Sequence, residues 1–495
     1  MNYISTRGGE KVSASKAILS GIAPDGGLYV PEEIPALSEE ALSALLPLSY
    51  PERAAKILAM FLTDFTEEEL LSYTKAAYSF EKFPVETAAP LVKLDDDTFV
   101  LELFHGPTCA FKDMALQILP YLMTASAKKN DEKEKILILV ATSGDTGKAA
   151  LEGFADVPGT AIFVYYPADG VSMAQKLQMI TQKGENVGVS AVYGNFDDAQ
   201  TGVKKIFGDA EFAAMLKENG VRLSSANSIN WGRLVPQVVY YVSAYLDAVK
   251  KGFIEMGEVT DVAVPTGNFG NILAAFIAKE MGLPVGKLIC ASNENNVLTD
   301  FIETGVYDKN RPFHTTSSPS MDILISSNVE RLLWFLSGHD SSFVAEKMKA
   351  LSNEGRYELP EDMKKTLGTL FKGGWADEKA VYAAIAENEK EKGYLADTHT
   401  SVALAMLDAM RKAEGERKKT IVASTASPFK FAASVLEALD GEKRESTPAL
   451  SDELADQSGV PVPAPLKDLD KRPVRFPGAV KKEDMREPIK KMLGI

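Results

Sequence analysis

The run His105-Gly106-Pro107-Thr108-Cys109-Ala110-Phe111-Lys112-Asp113 puts a lysine where an extended apolar stretch, Thr98 to Phe104, gives way to helical spacing from Asp113 to Lys128. A helix N-terminus carries positive potential and unpaired N–H groups, so a cation is disfavoured there. An amine used neutral, or as a Schiff base, escapes that conflict, and a depressed pKa helps both uses. The plain alternative is a surface lysine at a fraying helix end. Cys109 lies just upstream, but most cysteines act as small buried hydrophobes.

Further candidates lie where apolar runs end. Thr142-Ser143-Gly144-Asp145-Thr146-Gly147-Lys148 follows Ile136 to Ala141 and opens a helix. Its backbone N–H groups and dipole suit a carboxylate or phosphate. It is not a Walker loop, because position 142 is threonine where that motif needs glycine. Pro265-Thr266-Gly267-Asn268-Phe269-Gly270-Asn271 follows a second strand. Its glycines let a backbone approach a phosphate, and it lacks the spacing of a dinucleotide loop. Ala226-Asn227-Ser228-Ile229-Asn230-Trp231-Gly232-Arg233 offers amides, a hydroxyl and a guanidinium that can grip phosphate with two bonds. Thr425-Ala426-Ser427-Pro428 follows another strand, and a threonine there can offer its hydroxyl to a ring nitrogen. Each loop alone also reads as an ordinary helix cap or tight turn. Together with Lys112 they fit one ligand: a monophosphate cofactor tethered through a lysine, which is pyridoxal 5′-phosphate.

The elements that must position these loops alternate. Apolar strands at Ile136–Ala141, Ala161–Tyr166, Val187–Val192, Arg222–Ser225, Asp261–Val264, Lys287–Ser292 and Thr420–Ser424 are separated by helical runs. Such a pattern predicts an α/β protein with parallel sheets covered on both faces, and ligands bind outside the carboxyl ends of those strands. The expected organisation is a mostly helical segment over 1–95 and an α/β domain over 96–250 that carries Lys112 and the substrate loops. A second α/β domain over 251–440 holds the phosphate loop and a helical insertion at about 295–400. The Pro- and charge-rich tail, 441–495, should lack regular structure.

Composition narrows the class. The chain has 495 residues, is 45% hydrophobic, and carries a formal net charge of −15, so no basic face for nucleic acid is visible. Two cysteines argue against a disulfide scaffold and fit a reducing compartment, and four histidines show no metal spacing. No apolar run approaches the length of a membrane span, and the N-terminus lacks a signal-peptide core, so a cytoplasmic protein is expected.

The motifs, in the order His105–Asp113, Thr142–Gly147, Asn227–Asn230 with Arg233, Gly267–Asn271 and Ser424–Phe431, resemble those of threonine synthase. The similarity is to the longer branch found in enteric bacteria and fungi, and it includes the turn Pro24–Leu28. The resemblance implies a tryptophan-synthase-β-like fold, type II among pyridoxal-phosphate enzymes, with two doubly wound parallel-sheet domains. It implies that Lys112 carries the cofactor and that Gly267, Asn268, Phe269, Gly270 and Asn271 cradle its phosphate. Thr425 would face the pyridine nitrogen, and Asp145 stands where relatives place an asparagine against the cofactor's phenolic oxygen. Ser143, Thr146, Asn227, Ser228 and Arg233 would hold the substrate. Ser427 replaces a histidine common in the family. The implied reaction converts O-phospho-L-homoserine and water to L-threonine and phosphate. A phospho-lyase releasing 2-oxobutyrate, or a non-catalytic binding protein on the same scaffold, are the alternatives. The expected partners are the small-molecule substrate alone, with neither nucleic acid nor membrane, in a monomer or a dimer.

Overall fold

The structure is a computed structural model that describes residues 1–168 and 170–495, without the side chain of Asp197. Two sheets carry the alternation seen in the sequence. The smaller has the order Ala479–Val480, Val187–Val192, Thr160–Pro167, Lys135–Ala141, Val221–Ser224, and every pairing is parallel. The larger has the order Phe371–Trp375, Val285–Ser292, Thr260–Pro265, Thr420–Ser424, Thr98–Glu102, Leu91–Lys93. It is parallel except for its last pair, where Leu91 faces Leu101 in an antiparallel register. Ile136 to Ala141 and Thr420 to Ser424 are buried along their whole length, as strands covered on both faces must be.

Strand order explains where the site must be. In the smaller sheet the chain runs outward from Lys135–Ala141 through Thr160–Pro167 to Val187–Val192, then returns to place Val221–Ser224 on the other side. The larger sheet reverses in the same way between Thr260–Pro265 and Thr420–Ser424. Each reversal opens a crevice at the strands' carboxyl ends. The loops at those crevices start at Thr142, Ser225, Thr266 and Thr425, which are the loops singled out by composition. The helix Trp231–Lys250, buried from Trp231 to Ala248, backs one of them. A helix buried all round is a core element, not a surface one.

Five expectations need correction. Thr98–Glu102, the strand leading to Lys112, does not belong with the smaller sheet of residues 96–250; it pairs with Thr420–Ser424 in the larger one, with Val100 opposite Val422. An apolar strand shows that it is buried, not beside what. The expected helix Asp113–Lys128 is broken into Asp113–Leu116 and Leu119–Lys129, because Pro120 lacks an N–H and restricts the residue before it. Within 1–95, an antiparallel sheet of Gly8–Val12, Tyr3–Ser5 and Tyr29–Pro31 accompanies the helices. Inside the 295–400 stretch, Phe371–Trp375 is an edge strand of the larger sheet; its Gly373-Gly374 pair hides it from strand patterning. The tail forms the helices Leu450–Ser458 and Arg486–Leu493, anchored by buried Leu454 and Ile489, and adds Ala479–Val480 to the smaller sheet.

Candidate functional site

Lys112 caps the short helix Asp113–Leu116 in helical backbone geometry. The loop before it is laced to the loop after Thr420–Ser424. Phe111 N–H donates to Thr425 O at 2.8 Å, Ser427 N–H donates to Cys109 O at 3.0 Å, and Ala110 bridges Ala426. Neither of Thr425's backbone bonds, to Phe111 and to Thr400 Oγ1 at 3.3 Å, uses its hydroxyl. Ser427, where the family resemblance implied a histidine, is buried, and its Oγ has no hydrogen-bond partner among the described residues. Cys109 sits at φ 58° and burial pushes its thiol up to about 12, so it is no nucleophile.

Lys112 Nζ lies 3.3 Å from Asp145 Oδ2 and 3.3 Å from Ser320 Oγ, with the side chain nearly enclosed. Burial lowers its pKa from the ordinary lysine value; Asp145 opposes that shift, while Arg233 and Lys430 reinforce it. Asp145 opens the helix Asp145–Phe154, and Gly144 before it takes φ 131°, a conformation open to glycine, where a Cβ would also strike the Gln175 side chain at 2.4 Å. Burial works against its charge, but Lys430 and Lys112 outweigh that and hold the carboxyl well below the usual range. Its Oδ1 accepts from Lys430 Nζ at 2.7 Å and Gln175 Nε2 at 2.9 Å. An ionised carboxylate only accepts hydrogen bonds. Asp145 therefore cannot donate to a cofactor's phenolic oxygen as an asparagine would, and its contacts point to the amines instead. Lys148, another lysine of this loop, is tied to Glu152 at 2.7 Å and to Gln182, away from the site.

The loop after Thr260–Pro265 fits a phosphate. A Cβ at Gly267 would stand 2.6 Å from Ser320 O, so only glycine fits beneath that segment. Phe269 is left-handed at φ 61° and turns the chain into the helix Gly270–Glu280, whose first N–H groups have no side-chain cap. Asn271 Oδ1 accepts from the Tyr240 hydroxyl at 2.9 Å and from that of Tyr241, while its buried Nδ2 has no partner among the described residues. A helix N-terminus with an unmatched buried donor is what an anion requires. Ser326 Oγ and Asn328 Nδ2 hold the loop by donating to Gly267 O at 2.8 Å and Asn268 O at 2.9 Å. These residues fit pyridoxal phosphate: backbone and Asn271 for its phosphate, Lys112 for its carbonyl carbon.

The remaining expected residues converge on the same place. Arg233 donates to Ala226 O at 2.8 Å and reaches Thr146 Oγ1 at 3.5 Å; burial brings its guanidinium down to about 10. Ser228 Cβ lies 3.5 Å from where Gly270 would carry a Cβ, so the two loops touch. Asn227 and Ser143 are half-buried at the same crevice, and Thr142 Oγ1 shapes the latter's loop by accepting from Gly144 and Gly147 N–H. Ser320, His399, Lys430 and Gln175 belong to the site and escaped sequence reasoning. A signal existed only for Lys430, a lysine soon after a strand end. Among the described residues there is no cluster of metal-binding type, and no helix is long and apolar enough to cross a membrane.

Comparison with known proteins agrees with this geometry. The family models "Threonine synthase N terminus", "Pyridoxal-phosphate dependent enzyme" and "Threonine synthase, C-terminal" match residues 2–78, 82–425 and 400–487. Threonine synthase of Pseudomonas aeruginosa is 38% identical over 461 residues, covering 92% of this chain and 93% of its own. Human threonine synthase-like 1 is 43% identical over 443 residues, 87% of this chain but 59% of that protein, so the chain spans about three-fifths of that relative. The crystal structure of PLP-bound threonine synthase from Brucella melitensis superposes with a TM-score of 0.87 at 36% identity, covering 100% of this chain and 99% of that one. That of the yeast threonine synthase gives 0.88 at 32% identity with the same coverage. On sequence and fold, the chain belongs to the threonine synthase family of pyridoxal-phosphate-dependent enzymes.

Proposed function

We propose that the chain converts O-phospho-L-homoserine and water to L-threonine and phosphate, as the final step of threonine synthesis, in the cytoplasm. The observation that carries this is one buried amine, Lys112, 3.3 Å from Asp145 at the start of one helix and 3.3 Å from Ser320, whose carbonyl abuts the loop that opens the helix at Gly270. The Gly270 end suits the cofactor's phosphate. The Asp145 end, with Arg233, Ser143 and Thr146, suits a second phosphate or a carboxylate, and Asn227 and Ser228 complete that pocket. A substrate with both an amino-acid carboxylate and a phosphate matches these provisions. Bound pyridoxal phosphate draws electrons from the substrate carbons next to the amino group. The chain's part is proton handling. Lys112, its pKa lowered by burial, takes the Cα proton, gives it up to the bound substrate and cofactor before it takes a second from Cβ, and returns protons to Cγ and Cα as phosphate leaves and water adds. Arg233 receives the departing phosphate, and a closed polar pocket lets water reach Cβ.

Product analysis decides the matter. Incubation with O-phosphohomoserine should release phosphate and threonine in equal amounts, with 2-oxobutyrate a minor product. Ser228→Ala or Thr146→Val should raise the oxo-acid share, because the stranded intermediate partitions to elimination. Phosphate accompanied mainly by 2-oxobutyrate would make the protein a phospho-lyase. A colourless protein that borohydride fails to label would make it a binding protein.

A further inference from the structure

The helix Thr398–Glu414 begins with three consecutive residues that each hold a different part of the site. Thr398 Oγ1 donates to Ser317 O at 2.8 Å, His399 Nε2 accepts from Ser320 N–H at 3.2 Å, and Thr400 Oγ1 accepts from Thr425 N–H at 3.3 Å. Behind them Asp397, wholly buried, has its Oδ2 2.9 Å from His399 Nδ1. The geometry fixes the ring's state. Nε2 faces a backbone N–H and must accept, so the ring proton sits on Nδ1 and is donated to Asp397. His399 is nearly fully buried and packs on Phe431, with ring centroids 4.9 Å apart.

Ser320, the residue so held, reaches both halves of the site. Its Oγ is 3.3 Å from Lys112 Nζ and 3.4 Å from Asp145 Oδ2. Its carbonyl is the atom that forbids a side chain at Gly267. Asp145 is an ionised acceptor, so the Ser320 hydroxyl proton points to it and a lone pair is left for Lys112.

We propose that Ser320 is a further catalytic residue, orienting the Lys112 amine through its hydroxyl, and that His399 and Asp397 are positioning residues that hold it there. The inference rests on the reaction proposed above for the proton that is moved. When neutral Lys112 takes the Cα proton, the C–H bond breaks, its electron pair stays with the substrate, and a new N–H bond forms. The ammonium then has two acceptors in place, Ser320 Oγ and Asp145 Oδ2. With one N–H directed to Ser320 beforehand, the amine's own lone pair has a fixed direction.

The test uses the full chain. Ser320→Ala should lower kcat roughly 10- to 100-fold, the scale of one hydrogen bond to a charged group, with KM, cofactor retention and borohydride labelling of Lys112 unchanged. Ser320→Thr should restore most of the rate. His399→Gln, whose amide oxygen can still accept from Ser320 N–H, should stay near wild type, and His399→Leu should fall as far as Ser320→Ala. Independently of turnover, the ¹⁵N ring resonances of His399, before and after pyridoxal phosphate is added, should show a proton on Nδ1 and a bare Nε2. A wild-type kcat in Ser320→Ala, a rate loss that merely follows cofactor loss, or a protonated Nε2 overturns the proposal. A wild-type protein that makes 2-oxobutyrate instead of threonine overturns the reaction assigned above; slower phosphate release by Ser320→Ala would still support the role of Ser320.

Discussion

Lys430 Nζ lies 2.7 Å from Asp145 Oδ1, and neither side chain exposes more than 3% of its surface. Lys430 also donates to Thr108 O at 2.9 Å, in the loop that leads to Lys112. Asp145 thus has two amine partners, one permanent and one altered when Lys112 binds a carbonyl carbon. The permanent partner keeps the carboxylate charged in both states.

The single variant Lys430→Met should therefore be costly. Removing one member of a buried pair typically costs about 3–5 kcal/mol, and Lys112 as a second neighbour favours the lower end. The double variant Lys430→Met with Asp145→Asn should recover most of that loss. Urea unfolding of the two variants measures the difference, and equal losses would contradict the pairing.

The same double variant makes a prediction about pH. Among the charges around Lys112, Asp145 raises its pKa more than Lys430 lowers it. Taking both away should move that pKa further below the ordinary lysine value. Only the neutral amine attacks a carbonyl, so the midpoint for attaching pyridoxal phosphate to cofactor-free protein should shift to lower pH. Absorbance after rapid mixing, followed across pH, reports the midpoint; an alkaline shift would reverse the assignment.

Lys112 and Lys430 compete on paper as the cofactor's lysine, and peptide mapping separates them. Borohydride reduction of the yellow protein should fix the label on the peptide with Lys112. Lys112→Ala should still retain the cofactor through the Gly267–Asn271 loop, lose the visible band and lose turnover. Label on the Lys430 peptide would displace Lys112 from its role.

The two glycines of the loop after Thr260–Pro265 should respond differently. Gly267→Ala drives a Cβ to within 2.6 Å of the Ser320 carbonyl, a clash with backbone that should cost about 1–3 kcal/mol and loosen the cofactor. At Gly270 the same atom meets Asn328 and Ser228 at 3.5 Å, an ordinary contact, so Gly270→Ala should leave stability within about 0.5 kcal/mol. Thermal unfolding without cofactor reads the first effect, and titration with pyridoxal phosphate reads the second.

Arg233 should tell the two phosphates apart. Arg233→Ala should leave the cofactor's spectrum near normal and raise the substrate requirement roughly 10- to 150-fold, as the loss of a charge-assisted contact implies. Arg233→Lys should not restore it fully, because a lysine cannot donate both to Ala226 O and to a phosphate with the same planar fork. Loss of cofactor with unchanged substrate affinity would place Arg233 at the other phosphate.

The loops were legible and their supports were not, for a physical reason. Lys112, Gly267 and Arg233 announce themselves locally, through glycine, hydroxyl and charge at the ends of apolar runs. Ser320 and His399 sit 79 positions apart and mean nothing until the fold brings a ring nitrogen to a backbone N–H. Lys430 stood out only as a lysine near a strand end, because its partner lies across the cleft on the other sheet. The edge strand Phe371–Trp375 was masked by Gly373, whose missing side chain makes room for Thr299 O at 3.0 Å. Composition records what a residue is, whereas these positions matter for what approaches them.

Phe99 pairs with Ile421 and Val100 with Val422, so the strand that aims Lys112 is completed by a strand made more than 300 residues later. On a ribosome adding about 5–20 residues per second, that interval is roughly 15–60 s. For all of it the edge of Thr98–Glu102 that will meet Thr420–Ser424 stays open. Four of the smaller sheet's five strands, all within residues 135–224, can assemble meanwhile. Closing so long a loop is entropically slow and leaves a strand edge available to other chains. Newly made protein is therefore most dependent on chaperones just before Thr420–Ser424 emerges, and a stall in that window would leave an enzyme body with no seat for its lysine.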